Sequence, residues 1–136
     1  AAATTTRRAG RLRLQAPGQA RGNIIDLIRH DAPSQGRPGA GTIHHIAFRA
    51  TTQAAQLAWK DRLARAGHRT TDVIDRQYFN AIYFREPGGV LFEIATDPPG
   101  FAVDEPADAL GQRLMLPPQY EPMRARIEAV LPPLSA

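Results

Sequence analysis

Cysteine is absent from these 136 residues. That excludes a disulfide framework, a thiolate nucleophile and thiolate metal ligands, so any metal must be held by His, Asp or Glu. Lysine is nearly absent too: Lys60 stands alone beside 16 arginines in a chain of net charge +4. Apart from Arg7, Arg8, Arg11 and Arg13, these arginines are spread along the chain. That spread reads as a coding preference rather than the clustered patch of a nucleic-acid surface, and no nucleic-acid partner is expected. No apolar run approaches the roughly 20 residues that cross a bilayer, so no membrane partner is expected either. The N-terminus shows no apolar signal-peptide segment, and the expected location is cytoplasmic.

What is present reads as an α+β chain long enough to bury a real core. Residues 1–10 are poor in large apolar side chains and read as frayed. Residues 11–15 (R-L-R-L-Q) and 23–28 (N-I-I-D-L-I) read as two antiparallel strands. A pair of strands cannot form a domain alone, so residues 1–30 are expected to be an incomplete preceding module. Residues 31–41, with five Gly or Pro among eleven, read as a linker.

The more complete unit follows. Residues 42–49 (T-I-H-H-I-A-F-R) read as a strand, with His45 on one face and His44 on the other. Thr51 or Thr52 can cap a helix running to about Ala66, with Leu57, Ala58 and Leu63 inward and Gly67 ending it. Residues 69–76 read as a further strand. Residues 102–136 form a tail whose short helix, about 121–131, places Met123, Ile127, Val130 and Leu131 at helical spacing, with the tail packing on the sheet.

Residues 75–101 carry the chemistry. Two apolar runs, 81–85 and 90–96, flank Glu86-Pro87-Gly88-Gly89, where Pro presets φ and Gly permits a positive one. A three-residue loop over 87–89 sets Tyr83 opposite Glu93, on one side of a hairpin. A carboxylate among Leu91, Phe92, Ile94 and Ala95 must be paired, bound to a metal, or turned toward a cavity.

The β-α-β-β-β order, with a His in the first strand and a Glu in the last, resembles the module of the vicinal oxygen chelate superfamily. Its members include glyoxalases, bleomycin-resistance proteins and extradiol dioxygenases. The runs G-A-G-T-I-H-H-I-A-F-R and E-P-G-G-V-L-F-E-I-A-T-D-P-P-G-F are similar to the C-terminal module of ring-cleaving dioxygenases acting on hydroquinone-type substrates. So is the L-G…L-P-P…R…I-E…L-P tail, and the likeness covers roughly residues 22–134.

Carried over, the resemblance implies that His45 and Glu93 are metal ligands and that Tyr83 and Arg76 line the substrate pocket. The implied metal is Fe(II), with Mn(II) or Zn(II) as alternatives, and the implied substrate is a small aromatic diol. Two imidazoles and a carboxylate on one face of Fe(II) leave positions for a chelating diol and O₂. Phenol and guanidinium groups can stabilise charge developing on the diol.

The family's other His comes from the first strand of an earlier module. This chain is therefore expected to be a piece or subunit of a longer or split enzyme, working as a homodimer or with a complementary chain. His30 and His68 match no family position and read as solvated surface.

Each residue also has a plainer reading. His45 could be a hydrogen-bonded core histidine, Glu93 half of an ion pair with Arg76, Tyr83 a cavity wall, and Arg76 a partner of Asp75 or Glu93. His44 reads as structural. Two other functions are compatible with the module: a glyoxalase-like lyase or isomerase, and a non-catalytic ligand-binding protein of the bleomycin-resistance kind.

Overall fold

The computed structural model describes residues 4–18, 22–29 and 39–132. The chain forms two compact units, residues 1–37 and 38–136. His30 and most of the expected linker, 31–38, lie outside the described residues.

The first unit is a three-stranded antiparallel sheet of β1 (Thr4–Arg8), β2 (Arg11–Gln15) and β3 (Ile24–Ile28). The expectation of a frayed start is corrected. β-Branched Thr5 and Thr6 favour the extended chain, and Gly10 at φ 70° supplies the left-handed residue of a tight turn into β2. Asp26 fastens β3 to β2 by accepting from Arg13 Nε and Nη2, both at 2.7 Å.

The second unit holds the β-α-β-β-β order. β4 (Ile46–Ala50) leads into α1 (Gln53–Arg65), then β5 (Ile74–Asp75), β6 (Phe79–Arg85) and β7 (Leu91–Pro99). The sheet order is β4-β7-β6-β5, with β4 parallel to β7 and the other pairs antiparallel. The architecture is α+β.

β4 is shorter than its sequence suggests, beginning at Ile46 rather than Thr42. It pairs only with β7, through Ile46↔Phe92, and β7 itself begins at Leu91. Upstream of His45 there is no strand left to pair with. The expected strand over 69–76 contracts likewise to Ile74–Asp75, plus one bridge from Thr70 to Phe84.

Local chemistry sets the ends of α1. Thr52 Oγ1 accepts from Ala55 N at 3.1 Å. At the other end Gly67 takes φ 84°, Gly67 N donates to Ala64 O, and His68 N donates to Leu63 O. This pair of bonds is a Schellman motif. It carries His68 back toward the sheet, where its ring lies 5.8 Å from Phe84. His68 is half-buried there rather than a solvated surface residue.

The inward stripe of α1 also differs from expectation. Leu57 and Ala58 are exposed, while Ala55, Gln56 and Leu63 face the sheet. Gln56 is wholly buried, and its Nε2 donates to Asn80 O at 2.8 Å and Ile94 O at 2.7 Å. One amide thus ties α1 to both β6 and β7.

The helix side of the sheet carries the core: Ala50, Ile82 and Ile94, with Phe48, Phe84, Val73 and Leu63 packed around them. Phe48, Phe92 and Phe84 meet edge to face across three strands, with ring centroids 5.2 and 5.6 Å apart. Such contacts add to burial in favour of this packing.

The hairpin between β6 and β7 follows its turn chemistry. Glu86 accepts from Gly88 N and Val90 N, Gly89 N donates to Glu86 O, and Gly89 takes φ 90°. This is a three-residue loop ending in a left-handed glycine, and it places Tyr83 opposite Glu93. Further along, β7 advances four positions (95 to 99) where β6 advances two (79 to 81). Asn80 N donates to Thr96 Oγ1 at this irregularity, opposite the Gln56 clamp.

The tail is less regular than expected. A 3₁₀ turn at Phe101–Val103 follows β7, then a second at Pro118–Met123 runs into α2 (Arg124–Glu128). The segment Pro118–Met123 closes as a 3₁₀ turn, so α2 starts at Arg124 rather than near Glu121. Met123, Val130 and Leu131 are exposed, and α2 packs on the 3₁₀ turn before it rather than on the sheet. Arg124 organises this end, donating to Glu121, Glu128 and Leu114 O.

Candidate metal and substrate site

Strand alternation divides the second sheet into two faces. Ile82, Phe84, Phe92 and Ile94 face the helix; Ala81, Tyr83, Glu93 and Ala95 face the other way. The register lines up Ala47, Glu93 and Tyr83 across β4, β7 and β6.

Glu93 is buried, with 2% of its surface exposed. Its Oε2 lies 2.7 Å from His45 Nε2, and the His45 side chain keeps 37% of its surface open. The carboxylate therefore sits at depth while the imidazole borders solvent. The alternative pairing of Glu93 with Arg76 is not the one formed. Arg76 instead lies over the Tyr83 ring, with its Cζ 5.3 Å from the centroid. The Tyr83 and His45 rings meet edge to face at 6.1 Å. All four expected site residues thus come together on one face.

Burial pushes the Tyr83 phenol above its ordinary pKa of 10, while Arg76 pulls it back and the Glu93 charge raises it further. The net shift is upward, so at neutral pH Tyr83 is a protonated donor. Arg76 owes its place to the turn between β5 and β6. Asp75 Oδ1 accepts from Gln77 N, Tyr78 N donates to Arg76 O, and Gln77 is held at φ 69°. Positive φ at a residue other than Gly is uncommon and costs about 1 kcal/mol or more, so the turn is held by what surrounds it.

His44 does not face away from His45. Both residues precede the start of β4, so strand alternation does not govern them. Their Nδ1 atoms lie 3.0 Å apart and their ring centroids 5.2 Å apart. Gln56 is the other contributor that the sequence pattern does not mark, since a glutamine on a helix reads as surface until its strand carbonyl partners are seen. A groove of about 590 Å³ lies along the tail, between residues such as Met115, Arg124 and Leu131. It shares no residue with the His45–Glu93 pair.

An imidazole nitrogen and a carboxylate oxygen converging at 2.7 Å form a donor pair suited to a divalent cation. Among the described residues no group of three or more His, Cys, Asp or Glu converges on one point. From these, the chain supplies two donors.

Comparison with known proteins agrees with this architecture. The description "Glyoxalase/Bleomycin resistance protein/Dioxygenase superfamily" matches residues 12–94. The chain belongs to this superfamily. The Bacillus subtilis protein MhqO, provisionally named a ring-cleaving dioxygenase, is 56% identical over 112 residues, covering 82% of this chain and 36% of MhqO. The chlorohydroquinone/hydroquinone 1,2-dioxygenase of Sphingobium indicum is 38% identical, covering 72% of this chain and 31% of that enzyme.

Among solved structures, a provisionally assigned dioxygenase of Bacillus subtilis superposes with a TM-score of 0.88 at 48% identity. That match covers 98% of this chain and 43% of the other. A Frankia domain of the superfamily, 19% identical with a TM-score of 0.57, shares the fold alone; the match covers 74% of this chain and 76% of that one. The chain spans about a third of the length of the curated relatives it matches. Among the described residues no helix is long and apolar enough to cross a membrane.

Proposed function

We propose that this chain contributes half of the active site of a metal-dependent, extradiol-type ring-cleaving dioxygenase acting on small hydroquinone-like diols. The observation that carries this reading is the convergence of His45 Nε2 and buried Glu93 Oε2, with the Tyr83–Arg76 pair on the same sheet face. The named dioxygenase relatives support it. His45 and Glu93 would hold Fe(II), or Mn(II) or Zn(II) in its place, and a third protein ligand would come from outside these residues: the rest of a longer protein, a second copy or a complementary chain. Fe(II) bound there supplies the redox link between a diol and O₂ that organic side chains lack.

The chain's own residues do the rest. Tyr83, protonated at neutral pH as any phenol is and pushed further from ionisation by burial, donates a hydrogen bond to a diol oxygen. Arg76, lying over the phenol ring, places positive charge where the diol becomes negative. The buried position of Glu93 keeps water from the carboxylate, which strengthens its hold on a cation.

The first measurement is metal content by elemental analysis on protein purified without oxygen, with its mass read by light scattering in the same run. Near-stoichiometric iron in a dimer or heteromer, with hydroquinone turnover, is the expected result. His45→Ala and Glu93→Ala should each abolish metal retention. Unchanged metal in either variant removes the assignment, and a metal-free parent turns the reading toward a ligand-sequestering cup.

A further inference from the structure

The contact between His44 and His45 has a chemical use. Two imidazole nitrogens 3.0 Å apart hold a hydrogen bond only if one carries a proton and the other a lone pair. His45 presents its opposite nitrogen, Nε2, to the Glu93 carboxylate, which only accepts; without a cation the neutral ring therefore carries its proton on Nε2, and Nδ1 accepts from His44. If Nε2 gives its lone pair to a cation, the remaining proton of the neutral ring sits on Nδ1 and needs an acceptor. Within this site that acceptor is His44 Nδ1.

We propose that His44 is a positioning residue for His45. It takes the Nδ1 hydrogen bond, fixes the plane of the ring, and keeps Nε2 directed at the space beside Glu93 for a divalent cation. Outer partners of this kind set the tautomer and orientation of metal-binding histidines. The need is acute here because His45 lies outside the β4 ladder, on a half-exposed segment with no strand to hold its backbone. Its metal consequence rests on the function proposed above; the hydrogen bond itself does not.

The test uses the full chain, ¹⁵N-labelled at histidine. Through-hydrogen-bond coupling between His44 Nδ1 and His45 Nδ1 is expected in the parent and absent in His44→Phe. Co(II) affinity, measured by competition with a chromophoric chelator, should fall about 10- to 100-fold in His44→Phe. It should recover in large part in His44→Asn, whose Oδ1 can stand near the position of Nδ1.

Absent coupling in the parent overturns the pair. Equal Co(II) affinity in parent and His44→Phe, with binding still lost in Glu93→Ala, overturns the positioning role while keeping the metal site. A parent that binds no more Co(II) than His45→Ala overturns both the metal reading and the role of His44 in it.

Discussion

The two faces of the β4-β7-β6-β5 sheet are built by the same strands and share one hydrogen-bond ladder, yet they solve different problems. On the helix side, Phe48, Ile82, Phe84, Phe92 and Ile94 interlock. On the other side, the adjacent residues of the same strands present Glu93, Tyr83 and Arg49. Period-two alternation thus lets nine residues of β7 contribute to a core and a site at once. A one-residue slip would exchange the two, burying Glu93 under α1 and exposing Phe92 and Ile94. The Glu86-Pro87-Gly88-Gly89 turn and the Gln56 clamp prevent that slip from both ends of the β6–β7 pair.

The most severe way to break this division is from the helix side. Ile82 is wholly buried, and Ile82→Ala should destabilise the second unit by about 2–5 kcal/mol, read by denaturant unfolding. Metal bound per folded molecule should stay the same; a loss of both together would mean the faces are not separable. Next in size is Gln56→Ala, which strips a donor from two strand carbonyls. It should cost about 1–3 kcal/mol and leave the His45–Glu93 pair formed.

The smallest effect sharpens the comparison from the site side. Because burial raises the Tyr83 pKa in the folded chain, its contribution to stability is fully present below pH 10. That contribution is lost as the pH rises through the folded value. Tyr83→Phe should therefore remove part of the alkaline fall in stability, while changing little near pH 7. An identical alkaline limb in parent and variant would show that the phenol is not desolvated as described.

Where local chemistry decides, the sequence was readable. Thr52 and Gly67 mark the ends of α1, and the Pro-Gly-Gly loop fixes Tyr83 opposite Glu93. Where a partner across the fold decides, it was not. Gln56 displaces Leu57 from the inward stripe because the carbonyls of Asn80 and Ile94 need a donor, and both are remote in sequence. His44 escapes strand alternation because β7 begins only at Leu91 and leaves β4 no partner upstream of His45, a limit set by a hairpin some forty residues away. Thr4–Arg8 forms a strand because β2 is there to pair with, despite its lack of large apolar side chains. The meeting of His45 and Glu93 depends on β4 lying parallel beside β7. Only the family resemblance pointed there; spacing alone could not.

The position of β4 at the sheet edge gives the site an uneven dynamic character. Glu93 belongs to a strand bonded on both sides, whereas His45 adjoins a five-residue strand bonded on one side, fastened on its exposed surface by Arg49 and Asp97. Edge segments of this kind open locally at a fraction of the free energy of global unfolding. One donor is therefore anchored and the other hinged, so a cation shared between them would act as a rivet. Amide hydrogens of Ile46 to Ala50 would exchange faster than those of β6 in the cation-free protein and slow markedly once a cation is bound, with those of β6 hardly changed.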